Sequence, residues 1–453
     1  MTNPSTSPAL FVFNLLIFIF VIVGIFLQIF SVEMGGAVWT VVVVLFLLMN
    51  ARRLRFAGII MSALAVTAIG IEWYTKGPSA LDGVVRASFF FSLLLLFQTL
   101  GRIADLTREV GEIGEVIVSR PPGQRYLFTT FGSHILSVPL NLGGLIVINT
   151  LLRSRAKNLD DDTNRALVVG SLRGFASTTF WSPFSLGVLI VLSSVGDVDY
   201  LHFAPIGFVM AIAYMLFGFR FERRGIAAAV RGADYPPPNR KMIVGAVLGV
   251  ALLSIGIAAV SRATHLQLIQ VVFLVLVAGC IIMSLVLARR GLMTVSSAIK
   301  MMSGSASNVA NETAIIWGST ALGAVVAGAL ANAHWLESGF GPLQAGIAAA
   351  IVPSLIVLGA AIAINPLVSA AILAGSLSVV WPEGDKIWLV FAIIWGWVAT
   401  TCGTPFTANM LLIAQQQGIT STQLAYGWNG RFTLLSLAIL TVMVTVGTII
   451  ATL

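Results

Sequence analysis

Long apolar runs, most close to 20 residues, follow one another from end to end of this chain, separated by short polar stretches. About 20 apolar residues in helical rise cross the hydrocarbon core of a bilayer, so each run predicts a transmembrane helix. The pattern places helices at 9–30, 35–50, 56–73 and 84–101, then at 202–219, 243–261 and 266–288, and a last one at 432–452. The first run is too long for a signal-peptide core and lacks a basic leader, which predicts a retained first helix. Five regions depart from the pattern. Residues 126–152 are interrupted by Pro139-Leu-Asn141-Leu-Gly143-Gly144, and 343–380 by Pro353 and Asn365-Pro366. The runs 166–194 and 387–414 each carry hydroxyl residues and a proline in mid-span, while a span near 306–330 holds Asn308, Asn311 and Glu312.

The two mid-span interruptions are related. Ser177-Thr-Thr-Phe-Trp-Ser-Pro-Phe-Ser185 recurs 222 residues later as Ala399-Thr-Thr-Cys-Gly-Thr-Pro-Phe-Thr407. Thr178, Thr179, Pro183 and Phe184 are matched by Thr400, Thr401, Pro405 and Phe406, and Ser182 and Ser185 by Thr404 and Thr407. Proline removes a helical donor and frees the carbonyl four residues back, so Pro183 and Pro405 open their helices beside these hydroxyls. Non-helical backbone at membrane depth is tolerated only against protein or a water-filled cavity. Paired breaks in two halves of a membrane protein point to a secondary transporter's binding site.

Basic residues flank both ends of 126–152: Arg120 and Arg125 before it, Arg153, Arg155 and Lys157 after. Positive residues favour the cytoplasmic side, which makes this segment a re-entrant hairpin with Pro139 and Asn141 at its tip; a single kinked helix is the alternative. With 343–380 as a second hairpin tipped by Asn365 and Pro366, the two broken spans run in opposite directions. The expected fold class is therefore an all-α polytopic membrane protein of two inverted-topology repeats, each with a re-entrant hairpin and a Pro-broken transmembrane helix. The organisation reads as 1–83 N-terminal helices, 84–219 first repeat, 220–241 basic cytoplasmic linker and 242–453 second half. A charged connector, Arg102 to Arg125, is expected along the membrane surface, and Pro382 to Lys386 as a polar turn.

Composition agrees and removes other classes. Apolar residues make up 58% of the chain and charged residues 10%, against about a quarter charged in soluble domains. The net charge of +8 does not imply nucleic acid, because Arg52, Arg53, Arg55, Arg220 to Arg224, Arg289 and Arg290 sit between spans and face cytoplasm and lipid. The two cysteines, Cys280 and Cys402, build neither a disulfide framework nor a metal site. No phosphate-binding loop, metal cluster or Ser-His-Asp set is present, so neither an enzyme, a cofactor nor ATP drive is expected.

Candidate binding residues follow from the breaks. Half-helix N-termini offer free N–H groups to an anion; the carbonyls of the preceding half-helix and the hydroxyls suit Na⁺ or a proton donor. That set comprises Ser177, Thr178, Thr179, Ser182, Ser185, Thr400, Thr401, Thr404, Thr407 and Asn409. Asn141 and Asn365 either touch solute or cap the broken backbone. Arg173 is either the counter-charge to an anion or snorkels to the interface. Glu312, the most deeply placed acid on this map, either carries a coupling proton or pairs with Lys300 or Arg431, and His134 is a second proton candidate.

This layout resembles carriers of the ion transporter superfamily, such as divalent-anion/sodium symporters and arsenite or sodium/proton carriers. The resemblance implies hairpin tips at Pro139-Leu-Asn141 and Asn365-Pro366 and broken-helix motifs at Ser182 to Ser185 and Thr404 to Thr407. The dicarboxylate branch carries Ser-Asn-Thr where this chain has Pro-Phe. A bacterial inner-membrane carrier for a small, anionic solute is expected, coupled to H⁺ or Na⁺ and homodimeric by analogy. An integral-membrane enzyme on a lipid-linked substrate would need a sizeable external loop, and a channel or scaffold would not concentrate polar residues at two mid-span points.

Overall fold

The computed structural model describes residues 7–30, 36–76, 82–104, 106–107, 122–155, 160–222, 240–331, 339–382 and 386–453. Most of the charged connector, residues 223–239 of the linker and 383–385 of the polar turn lie outside the described residues. The fold is all-α, with no strand among the described residues. Among the described residues, nine helices are long and apolar enough to cross a membrane, ten counting one bent pair as a single span.

The helices are α1 (Pro8–Ile29), α2 (Gly36–Met49), α3 (Phe56–Lys76), α4 (Asp82–Ala104), α5 (Pro122–Leu140), α6 (Leu142–Arg155), α7 (Asp161–Ser177), α8 (Leu186–Val195) and α9 (Tyr200–Glu222). There follow α10 (Arg240–Thr264), α11 (Leu268–Arg289), α12 (Val295–Asn308), α13 (Ala310–Ala331), α14 (Pro342–Ala361), α15 (Pro366–Val380), α16 (Ile387–Gly403), α17 (Ala408–Gln417) and α18 (Gly430–Thr452). Local chemistry sets many of their ends. Asp160 caps α7 by accepting from the Thr163 amide at 2.9 Å and hydroxyl at 2.6 Å. Those bonds, the hydroxyl's first, hold the Asp160 carboxyl below its ordinary value. Asn365 caps α15 through the Leu367 amide at 2.9 Å, with Pro366 in the first turn.

Contacts divide the chain into two units. Unit 1 holds α1 to α4 with α11 to α13. Its α13 packs along α3 and α4, and α12 packs on α1. The span expected near 306–330 is in fact the bent pair α12 and α13, meeting at 51°. Its first arm was missed because Ser303-Gly-Ser-Ala-Ser-Asn308 reads as loop; it is held as helix by tertiary bonds. Arg102 donates to the carbonyls of Met301 and Gly304, Ser303 to that of Phe11, and Asn14 Nδ2 to Ser307 Oγ at 2.8 Å. Asn50 Nδ2 in turn donates to Asn14 Oδ1 at 2.9 Å, a buried amide pair.

Unit 2 holds α5 to α10 with α14 to α18. Its α5 and α6 form a helical hairpin turning on Asn141, which has φ 50°. A second hairpin, α14 and α15, turns through Ala363, at φ 67°. Asparagine tolerates this left-handed backbone; an alanine there is strained by about 1–2 kcal/mol. The first hairpin turns just after Pro139, whereas Pro353, read as an interruption, leaves its helix continuous. Pro139 lies within the last turn of α5, and α14 runs through Pro353. Neighbouring helices re-satisfy what a mid-span proline frees, and Pro353 packs against Gly396 of α16.

Candidate functional site

Both runs with paired motifs are broken helices. The first is α7, a 3₁₀ turn at Thr178–Phe180, a non-helical stretch through Pro183, and α8. The second is α16, a non-helical stretch through Pro405, and α17. The second arms correspond in length and in how they begin. Each spans ten residues, starts from an extended N-cap, Ser185 or Thr407, and ends on a glycine with φ 67° at Gly196 or 71° at Gly418. Gly418 closes its helix in the left-handed conformation, while Gly196 combines its positive φ with an extended ψ of 178°; glycine takes both without strain. In neither N-cap does the side chain bond the first turn. The opening amides of α8 and α17 are therefore left to other partners, with the positive end of the helix dipole behind them.

The two breaks belong to one packed assembly within unit 2. α7 packs on α16, the first break's 3₁₀ turn packs on α16, and α8 packs on both α15 and α16. Gly187, in the first turn of α8, lies against Thr179 and Trp397. Phe180 stacks on Trp395 with ring centroids 5.6 Å apart. The spans are antiparallel: Lys386, at the start of α16, reaches Asp197, just beyond α8, at 3.4 Å. At the opposite ends, Arg153 near the end of α6 donates to the Gln417 carbonyl of α17 at 3.0 Å. Only residues 156–159 separate the end of α6 from Asp160, the N-cap of α7.

Hydroxyl groups line both breaks, and many donate back to their own helix. Thr178 bonds the Phe175 carbonyl at 2.7 Å, Thr400 and Thr401 that of Trp397 at 2.7 and 3.1 Å, and Thr404 that of Thr400 at 3.0 Å. A hydroxyl so engaged keeps acceptor lone pairs for a cation or a donor group. Ser182 accepts from the Phe184 amide at 3.2 Å, Thr407 donates to the Thr404 carbonyl at 3.5 Å, and Asn409 donates to the Thr401 carbonyl at 2.8 Å. Thr178, Thr179, Ser182, Ser185, Thr400, Thr401, Thr404 and Thr407 are all buried.

The first hairpin is tied to the first break. Asn141 donates to the Phe184 carbonyl at 3.4 Å, near its tip. About two turns earlier, His134 is buried with both ring nitrogens engaged. The Ser177 hydroxyl donates to the Gly174 carbonyl at 2.7 Å and so accepts from Nδ1 at 2.8 Å, while Nε2 accepts from the Trp181 indole at 3.1 Å. This assigns the neutral Nδ1–H tautomer, with the ring a strut between α5 and the break. Tyr200 adds a third tie, donating to the Trp181 carbonyl at 2.9 Å. Asn365, at the second tip, caps α15, which packs on α8 and α16.

Two expected site residues stand elsewhere. Arg173 does not snorkel: it is 0% exposed. Its Nη2 pairs with Glu222 at 3.1 Å, Nε donates to Asn429 at 3.1 Å, and Nη1 donates to Tyr126 at 3.1 Å and the Gly218 carbonyl at 3.2 Å. The Phe432 ring covers it, 4.0 Å from Cζ to centroid. This guanidinium ties together α5, α7, α9 and the start of α18, its charge already matched. Glu312 stands on the first turn of α13, within unit 1, just after the bend of that span. Glu222, Tyr126, Asn429 and Tyr200 escaped sequence reading. Glu222 alone left a signal, as an acid within the basic run Arg220 to Arg224.

No protein-family model matches this chain, and no curated protein matches its sequence. Among solved structures it is similar to the YdaH transporter of Alcanivorax borkumensis, at a TM-score of 0.55 and 14% identity, over 90% of this chain and 98% of that one. At that identity the likeness is one of fold alone.

Proposed function

We propose that this chain is a secondary active transporter that moves a small anionic solute across the bacterial inner membrane, coupled to H⁺ or Na⁺ by alternating access. The observation carrying this reading is the antiparallel pair of broken spans, alike in N-cap, length and glycine end, packed together in one unit. Inverted repeats with unwound helices at the repeat interface suit substrate and ion binding near the bilayer midplane. In our reading the two hairpins are re-entrant, as in the ion transporter superfamily. The amides opening α8 and α17 meet the anion, while outward hydroxyl lone pairs at Thr178, Thr400 and Thr401 meet the coupling ion. The fold shared with the YdaH transporter adds weight, and dimerisation is an extension by analogy.

The test is ligand-dependent thermal stabilisation of the purified protein across a panel of organic and inorganic anions, with and without Na⁺. It is paired with flux into proteoliposomes. An anion that raises the Tm of the wild type is expected to lose that effect in Thr179→Ala and Thr401→Ala, with flux falling in parallel. If flux of the stabilising anion is unchanged in both variants, the site lies elsewhere.

A further inference from the structure

A serine or threonine inside an apolar helix can always donate its hydroxyl to a carbonyl three or four residues back. Unit 1 uses this repeatedly: Ser88 bonds the Val84 carbonyl at 2.9 Å, Ser92 that of Phe89 at 2.6 Å, Thr99 that of Leu95 at 2.7 Å and Ser319 that of Ile316 at 3.2 Å. Four polar groups depart from the habit. Ser305 Oγ, Thr313 Oγ1, Trp317 Nε1 and Thr320 Oγ1 are buried without any hydrogen-bond partner. Their residues are 0%, 0%, 1% and 7% exposed. Among the described residues of unit 1, these are all the buried side-chain nitrogen and oxygen atoms in that condition.

They are not scattered. Steps of four and three residues put Thr313, Trp317 and Thr320 on one face of α13, and Ser305 stands eight residues before Thr313, on α12 across the 51° bend at Val309. The face is not the one that meets α3, which is built from Asn311 and Ala314 against Gly58, and from Gly318 against Met61. Along the bent path from Ser305 to Thr320 the helical rise sums to about 22 Å, against a hydrocarbon core of about 30 Å.

We propose that this face of α12 and α13 binds a file of ordered water molecules inside unit 1, running along the bent span. The occupant must accept from the indole N–H of Trp317, which only donates, and must exchange both donors and acceptors with three hydroxyls. A cation is opposed by that N–H. An anion has no counter-charge on a face made of Ser305, Val309, Thr313, Trp317 and Thr320. Water satisfies every group, and buried polar groups are ordinarily served this way. The file is distinct from the solute site proposed above, which lies wholly in unit 2, and does not depend on it.

Radiolytic hydroxyl labelling of the intact protein, read by mass spectrometry, tests this directly, because water held beside a buried side chain generates the radical in place. Trp317 is expected to be labelled despite its burial. Trp395 is the internal control: it is 0% exposed, its indole donates to the Leu437 carbonyl at 3.4 Å, and it should stay unmodified. A Trp317 as inert as Trp395 overturns the proposal. A second measurement uses Thr313→Val and Thr320→Val, which keep side-chain shape. In a wet file each valine strands a water, so Tm falls and labelling at Trp317 drops. If the face is dry, each removes an unpaired hydroxyl and Tm rises, which also overturns the proposal.

Discussion

A guanidinium buried in an apolar helix bundle survives only with its charge and most of its N–H groups matched, and Arg173 has Glu222, Asn429, Tyr126 and the Gly218 carbonyl for that purpose. Breaking one partner of such a pair strands the other, at a cost of about 3–5 kcal/mol. Arg173→Met is therefore expected to lower thermal stability severely in the absence of any solute. Replacing both charges with apolar residues of similar volume is often neutral. The double variant Arg173→Met with Glu222→Leu is thus expected to recover most of the lost stability, read as a double-mutant cycle by thermal unfolding in detergent. An Arg173 that served mainly as a solute's counter-charge would give the opposite pattern, with little loss of stability and abolished solute binding in both variants. The exposed Lys386–Asp197 pair, by contrast, is worth no more than about 1 kcal/mol; it is informative as a marker of geometry.

Each broken span packs on the first helix of its hairpin through a glycine, Gly174 on α5 and Gly396 on α14, 222 residues apart like the two motifs. A methyl group at Gly174 would fall on the backbone carbonyl oxygen of Thr130, which cannot step aside without moving α5. At Gly396 it would meet Ile356 Cβ and Cδ1 at 2.9 Å and Pro353 Cα at 3.0 Å, where a side chain can yield part of the space. Overpacking of a tight contact costs about 1–3 kcal/mol. Gly174→Ala is expected at or beyond the top of that range and Gly396→Ala nearer the bottom, with Tm reporting the order. Neither glycine was legible from the chain, because what distinguishes them is the helix opposite. The helical spans, the two hairpin tips and the two breaks were legible, because hydropathy and Pro, Asn and Gly act over a few residues. The arm Val295–Asn308 was not, since its Ser, Gly and Asn residues favour loop until Arg102 and Asn14 bond to it. Arg173 was conspicuous as a charge in a span, yet its acid partner stands 49 residues away, a separation that no local pattern bridges.

For the whole chain, the decisive property is direction. The contact of Lys386 with Asp197 places the end of the first broken span beside the start of the second, and the bond from Arg153 to Gln417 closes the opposite end. If both spans cross the membrane, Asp197 and Gln415 emerge on opposite faces, and the arginines at the end of α6 assign Gln415 to the cytoplasm. In a Cys280→Ser background, which leaves the buried Cys402, Asp197→Cys is expected to react with a membrane-impermeant maleimide from outside right-side-out vesicles. Gln415→Cys should react only once the vesicles are opened. Labelling of both from the same side would remove the inverted repeat and the transport reading that rests on it.

The strut formed by His134 has a practical consequence. Its ring is held in one tautomer by two partners of opposite demand, Ser177 and Trp181, and both belong to the first broken span. The chain has only 4 histidines, so nitrogen resonances from isotope-labelled protein would be few enough to assign. A single tautomer gives two widely separated ¹⁵N signals; a ring released from its partners averages between tautomers and draws them together. This side chain is thus a native gauge of whether the first hairpin and the first break move as one body, readable without attaching any probe.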